Sequence, residues 1–114
     1  MATPLPLNRF RLMTAHLVSG STTIYQENID VSTIVLSCQI TNLDTTTKTV
    51  SVSLQKSGSM DIITLLNNGY IPPYESLNPI SGKIVLERND AFIINTNESG
   101  VLDVVLSVLE NANN

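Results

Sequence analysis

His16 is the one imidazole of the chain and Cys38 the one thiol. The side chains that most often carry covalent or acid–base chemistry therefore occur once each. A nucleophile–base pair needs a reactive Ser, Cys or Thr beside a base. His16 sits in an alternating run, Phe10-Arg11-Leu12-Met13-Thr14-Ala15-His16-Leu17-Val18, and no Gly-x-Ser-x-Gly elbow lifts a serine from the backbone. One His and one Cys cannot close a zinc site. The acids are scattered without the spacing of a calcium loop. Asp44 and Asp90 stand in turn-forming stretches, where Asp bonds nearby backbone. No glycine-rich phosphate loop occurs. Aromatic residues are 4% of the chain, with no Trp, so a carboxylate pair would lack sugar platforms. The expectation is a protein that is not an enzyme, with no catalytic residue, no metal and no cofactor. His16 at a protein contact would make that contact pH-sensitive. Cys38, in phase with Leu36 and Ile40, reads as a buried, inert thiol.

Surface recognition remains. The chain begins MATPLPLNRFR, and Pro4 and Pro6 bar a helix there and make poor strand material. Residues 1–9 read as an extended arm, either frayed or tied down on a neighbouring subunit. Arg9 and Arg11, with His16, form a small basic patch: a solvated strand face, or a dock for an acidic partner. Tyr70 and Tyr74 flank Ile71-Pro72-Pro73, which places two rings on a stiffened loop. Tyr offers a large apolar area with a polar tip, and a stiff loop loses little entropy on docking. The two rings either close one end of the core or meet a partner. The candidate protein-interface residues are Pro4, Pro6, Arg9, Arg11, Tyr70, Pro72, Pro73 and Tyr74.

Composition agrees with recognition of protein surfaces. Only 14% of the 114 residues are charged, against about 25% in ordinary domains. Ser, Thr and Asn fill the polar faces instead, and a polar surface poor in charge costs little to desolvate. The net charge of -4 with six dispersed basic residues argues against nucleic acid. No run has the length of a membrane span, and the start lacks the apolar core of a signal peptide. The chain is expected in a cytosol-like compartment or within an assembly. Asn97-Glu98-Ser99 matches a glycosylation sequon but reads as a turn.

The elements that position these residues are strands. Residues 10–18 alternate, 19–21 turn, and 22–26 form a short strand. Over 32–42, Ile34, Leu36, Cys38 and Ile40 are expected on one face, with Thr33, Val35, Ser37, Gln39 and Thr41 on the other. A turn over 43–47 leads to the alternating Val50, Val52 and Leu54, and the two strands are expected to form a hairpin. A short strand or helical turn at 62–66 ends in Asn67-Asn68-Gly69, a strong turn signal. Three prolines make Ile71 to Pro79 an ordered loop crossing between sheets. Ile84 to Glu87, Ala91 to Thr96 and Val101 to Glu110 finish the domain. The fold class is all-β: an antiparallel sandwich of about six to eight strands, jelly-roll or Ig-like. The arm spans 1–9, a single sandwich domain 10–110, and a tail 111–114.

Ile34-Val35-Leu36-Ser37-Cys38-Gln39-Ile40-Thr41-Asn42, a Pro-containing loop, Gly82-Lys83-Ile84-Val85-Leu86-Glu87 with Asp90, and Leu102-Asp103-Val104-Val105-Leu106-Ser107-Val108-Leu109-Glu110 follow in succession. This pattern resembles small all-β virion proteins of tailed bacteriophages of the marine and cyanobacterial type, over roughly residues 10–110. The resemblance implies a module of the head, neck or tail, located in the virion and assembled in the host cytoplasm. Its partners would be other virion proteins (major capsid or neck and tail proteins) and copies of itself, with no nucleic acid and no membrane. It implies no catalytic residues. The expected function is that of a decoration or cement subunit of the head, or a neck or tail accessory. The alternative is a host-surface receptor- or glycan-binding module of an adsorption apparatus.

Overall fold

Short β-branched runs punctuated by Asn, Asp, Ser and Gly become strands because branched side chains suit a pleated surface. The computed structural model describes residues 8–28, 31–97 and 99–111. In chain order its strands are β1 (Asn8–His16), β2 (Gly20–Gln26), β3 (Ser32–Asn42), β4 (Lys48–Gln55), β5 (Ile62–Ile71), β6 (Ser76–Leu77), β7 (Ile84–Leu86), β8 (Ala91–Thr96) and β9 (Leu102–Asn111). One sheet runs β1-β9-β3, with β6 and β7 sharing the far edge of β3; the other runs β2-β8-β4-β5. All pairings are antiparallel. With β6 and β7 counted as one interrupted edge strand, two four-position sheets exchange the chain at nearly every connection. This is the jelly-roll arrangement. Below, the sheets are named after their inner strands β9 and β8.

The core lies between the two inner faces. Leu102, Val104, Leu106 and Val108 of β9 join Val35, Cys38 and Ile40 of β3 in one buried cluster with Val50 and Val52 of β4 and Phe92 and Ile94 of β8. Each fully buried residue of this size contributes about 1.5–3 kcal/mol. Cys38 is 1% exposed, and burial pushes its thiol up to about 12.

Two buried polar residues tie the loops at the two ends. At one end the Asn42 Nδ2 donates to the carbonyls of Thr46 (2.9 Å), Ile71 (2.9 Å) and Pro72 (3.2 Å), while its Oδ1 accepts from the Asp44 N–H (2.9 Å). At the other end Asp90 accepts from Lys56 Nζ (2.6 Å), the Ser57 N–H (3.1 Å) and the Glu87 N–H (2.9 Å). Buried polar groups satisfied in this way fix loop geometry, because leaving them unpaired is costly.

Four local readings of the sequence differ from the structure. β3 and β4 do not form a hairpin: they lie in different sheets, and the five-residue loop 43–47 crosses the gap of about 10 Å between them. The actual hairpin is β4–β5. Asn67-Asn68-Gly69 is not a chain reversal but part of β5, where the register slips between Val50↔Gly69 and Val52↔Leu66. Asn68 takes a φ of 52° there, and a Cβ on Gly69 would lie 2.6 Å from Leu66 Cδ2. Turn residues here build a bulge. In β3 the register slips at Leu36, since Val35 pairs with Val108 and Ser37 with Ser107. The buried file is therefore Thr33, Val35, Cys38, Ile40 and Asn42, and strict alternation fails across the extra residue. Finally, β1 begins at Asn8 rather than at Phe10, paired with Asn111.

Candidate functional site

The apolar file of β9 ends in an acid. Leu102, Val104, Leu106, Val108 and Glu110 all face inward, and Glu110 is 2% exposed. A buried carboxylate needs charged partners and filled lone pairs. Its register neighbours are Arg9 on β1 and Thr33 on β3. Arg9 donates to Glu110 Oε1 from Nε (3.0 Å) and Nη2 (2.6 Å), and Arg11 Nη1 donates to Oε2 at 2.9 Å. Tyr25 reaches across from the β8 sheet and donates its hydroxyl to the same carboxylate. The Tyr25 hydroxyl also meets Thr33 Oγ1 at 2.8 Å. Arg11 bridges on to Glu27 at 3.1 Å. Burial alone would raise the Glu110 carboxyl, but hydrogen bonds from Tyr25, Arg9 and Arg11 and the charge of Arg11 outweigh it and hold the pKa below its usual value. Burial, then the bond to Glu110, raises the Tyr25 hydroxyl. This network joins the two sheets at the end where β1 starts and β9 finishes.

The expected basic patch is thereby divided. Arg9 and Arg11 share the inner face of β1, while His16 has the opposite parity. His16 is exposed and hydrogen-bonds Asp103 on the outer face. Glu110, Tyr25 and Thr33 carried no functional reading in the sequence. The available signal was an acid in phase with four buried apolar residues, in a chain whose other end offers two arginines in phase with each other.

The tyrosine loop lies at the opposite end, about 27 Å away by strand rise from Leu102 to Glu110. Tyr70, on the outward side of β5, is 71% exposed, and Tyr74, in the turn after Pro73, is 68% exposed. Neither ring closes the core. Pro72 is exposed and Pro73 half-buried. The Pro72 carbonyl accepts from both Asn42 and the Glu75 N–H, so the loop is held rigid. Tyr74 takes a φ of 61°, a left-handed conformation that costs a bulky residue about 1 kcal/mol or more. Leu43 and Val18, both exposed, are tied to this end by the Leu43 N–H to Val101 O and Gly100 N–H to Leu17 O bonds. Pro4, Pro6 and the tail at 112–114 lie outside the described residues.

No protein-family profile matches the chain, and no curated protein sequence does. Solved structures do. A Bacillus endospore appendage, described as belonging to a novel family of disulfide-linked pili, superposes with a TM-score of 0.57 at 11% identity, covering 97% of this chain and 93% of that one. A pentameric capsid protein from metagenomic phage sequences gives a TM-score of 0.41 at 11% identity, over 88% of this chain and 59% of that one. A cysteine peptidase from Thevetia peruviana latex gives 0.42 at 11% identity, over 91% and 52%. The likeness to the appendage is one of fold, spanning nearly the whole of both chains.

Proposed function

We propose that the chain is a non-enzymatic structural protein of a tailed-bacteriophage particle. It binds other virion proteins as a head decoration or cement subunit, or as a neck or tail component. The observation that carries this reading is the division of labour between inside and outside. Glu110, Arg9, Arg11, Tyr25, Asn42 and Asp90 are engaged in bonds that hold the sandwich together. The side chains left in solvent include large apolar and aromatic ones, among them Phe10, Leu12, Leu43, Tyr70, Tyr74 and Val85. Aromatic side chains such as those of Phe10, Tyr70 and Tyr74 are enriched at the cores of protein–protein contacts. The resemblance of the strand pattern to small phage virion proteins supports the choice of particle, and the expected arm at the N-terminus would offer a means of linking subunits.

A pilus-type assembly joined by disulfides is not favoured, because Cys38 is the only cysteine of the chain and is buried. A glycan-binding role draws on one feature. A groove of about 430 Å³ crosses the outer face of the β8 sheet, lined by Ser21, Thr23, Ser51, Ser53, Thr64 and Asn95 among others. It contains no aromatic ring on which a sugar could stack.

The test is quantitative mass spectrometry of purified virions of the phage that encodes the chain, scaled to the major capsid protein. A copy number comparable with the capsid protein supports a decoration or cement role, and a small fraction of it supports the neck or tail. Absence from virions overturns the proposal.

A further inference from the structure

Among the described residues, the outer face of the β9 sheet is apolar throughout along one row. Register places Phe10 of β1 beside Leu109 of β9, Leu109 beside Ile34 of β3, and Ile34 beside Val85 of β7. All four positions are apolar, and Phe10 is 74% and Val85 60% exposed. The neighbouring rows differ. Asn8–Asn111–Ser32 and His16–Asp103–Thr41 have no apolar member; Leu12–Ser107–Ser37 and Thr14–Val105–Gln39 have one each. A single apolar stripe thus crosses the whole sheet, two residues in from the start of β1.

We propose that this stripe is the docking site for residues 1–7 of a second copy of the chain. The inference takes from the proposed function only the idea that the arm engages another subunit. Four strands at about 4.8 Å spacing make the stripe roughly 14 Å long, and one to two side chains make it wide, or about 200 Å². A stable pair of rigid faces needs about 800 Å² from each partner, so the stripe fits a peptide rather than a second sandwich face. Met1-Ala2-Thr3-Pro4-Leu5-Pro6-Leu7 has the matching chemistry: no charged side chain, and apolar Leu5 and Leu7 near the point where β1 begins. Pro4 and Pro6 lack the N–H that a strand ladder uses, so this segment offers more through its side chains than through its backbone.

Direction argues against the stripe of the same copy. β1 is already paired with β9 from Asn8, so the segment would have to reverse within residues 4–7, where the two prolines favour extended backbone. Residues 1–7 running in one direction span about 22 Å, which covers the stripe of a neighbour.

The experiment is sedimentation velocity of the full chain across a concentration series, with two sets of variants and a competitor. One set alters the segment, Leu5→Ser with Leu7→Ser; the other alters the stripe, Phe10→Ser with Val85→Ser. The competitor is the synthetic peptide of residues 1–7. The expected result is concentration-dependent association of the unaltered chain, weakened at least about tenfold by either set and inhibited by the peptide. Circular dichroism and thermal melting check that each variant is folded. Three results overturn the inference: a chain that stays monomeric throughout, association that survives both sets, or association lost with Phe10→Ser and Val85→Ser yet intact with Leu5→Ser and Leu7→Ser. The first of these leaves the virion proposal standing, because copy number in particles is read independently.

Discussion

Glu110 shows how one residue can hold two sheets in place. Its carboxylate is taken out of water at the end of an apolar file, where only the guanidinium groups of Arg9 and Arg11 and the Tyr25 hydroxyl make ionisation tolerable. Removing one partner of a fully buried pair costs about 3–5 kcal/mol. Arg9 is largely exposed and can be rehydrated, which lowers the expected cost of Glu110→Gln to about 2–3 kcal/mol near neutral pH. The sign of the pH dependence follows from the direction of the shift. The folded pKa of Glu110 lies below its ordinary 4.5, and that of Asp90, despite its burial, lies below 3.8 through the bonds from Lys56, Glu87 and Ser57. Each group therefore contributes stability that is present above its unfolded value and is lost as the pH falls through its folded value. Urea titrations from neutral pH down to acid should show the chain losing stability below about pH 4.5. Glu110→Gln should show a shallower loss, with the two curves converging in acid. Parallel curves over the whole range would mean that the Glu110 charge does not support the fold.

At the level of elements, the decisive feature is where the two-residue period breaks. Strand positions were legible because β-branched runs and their polar punctuation are local: β3 coincides with residues 32–42 as read, and the proline-rich stretch 71–79 crosses between sheets as expected, although Ile71 ends β5 and Ser76–Leu77 pairs with β3 as β6. The facing of residues across Leu36, the path through Asn67-Asn68-Gly69 and the partner of β3 were not legible. Bulges and sheet membership are set by pairing between residues far apart in the chain. The same limit hid the carboxylate network, whose members Arg9, Tyr25, Thr33 and Glu110 come from four strands. The Leu36 bulge makes this argument testable by deletion. Removing Leu36 leaves Val35 next to Ser37, which already occupy consecutive ladder positions opposite Val108 and Ser107. Every other residue of β3 then keeps its face. Removing Gln39 instead turns Ile40 and Asn42 outward and dissolves the hub at the loop end. Circular dichroism and thermal melting should find the chain without Leu36 cooperatively folded and the chain without Gln39 unfolded. Equal tolerance of both deletions would contradict the assigned register.

At the scale of the whole molecule, the sandwich has two unlike ends. The Asp90 hub and the charged side chains of Lys56, Glu87 and Arg88 occupy one; Leu43, Val18, Tyr70 and Tyr74 stand at the other. A contact that joins one end to the other is head-to-tail, whereas a contact of the apolar end with its own copy is two-fold. Tyr74 sharpens the case. Its left-handed backbone conformation is unfavourable for a bulky residue, and its ring, 68% exposed, returns little packing energy to the fold. Glycine at this position would relieve the backbone, and serine at Tyr70 would remove an exposed ring at little cost, since surface changes of this kind stay within about 0.5 kcal/mol. A chain carrying Tyr70→Ser and Tyr74→Gly should therefore melt at or above the temperature of the unaltered protein. If the chain is a virion protein as proposed and the tyrosines are contact residues, the same chain should be depleted from particles when it competes with the unaltered chain during assembly. Both quantities can be measured on one preparation, by calorimetry of the purified protein and by isotope-ratio mass spectrometry of the virions. Unchanged melting with unchanged incorporation would leave the apolar end without a binding role, and lowered melting would show that the rings support the fold after all.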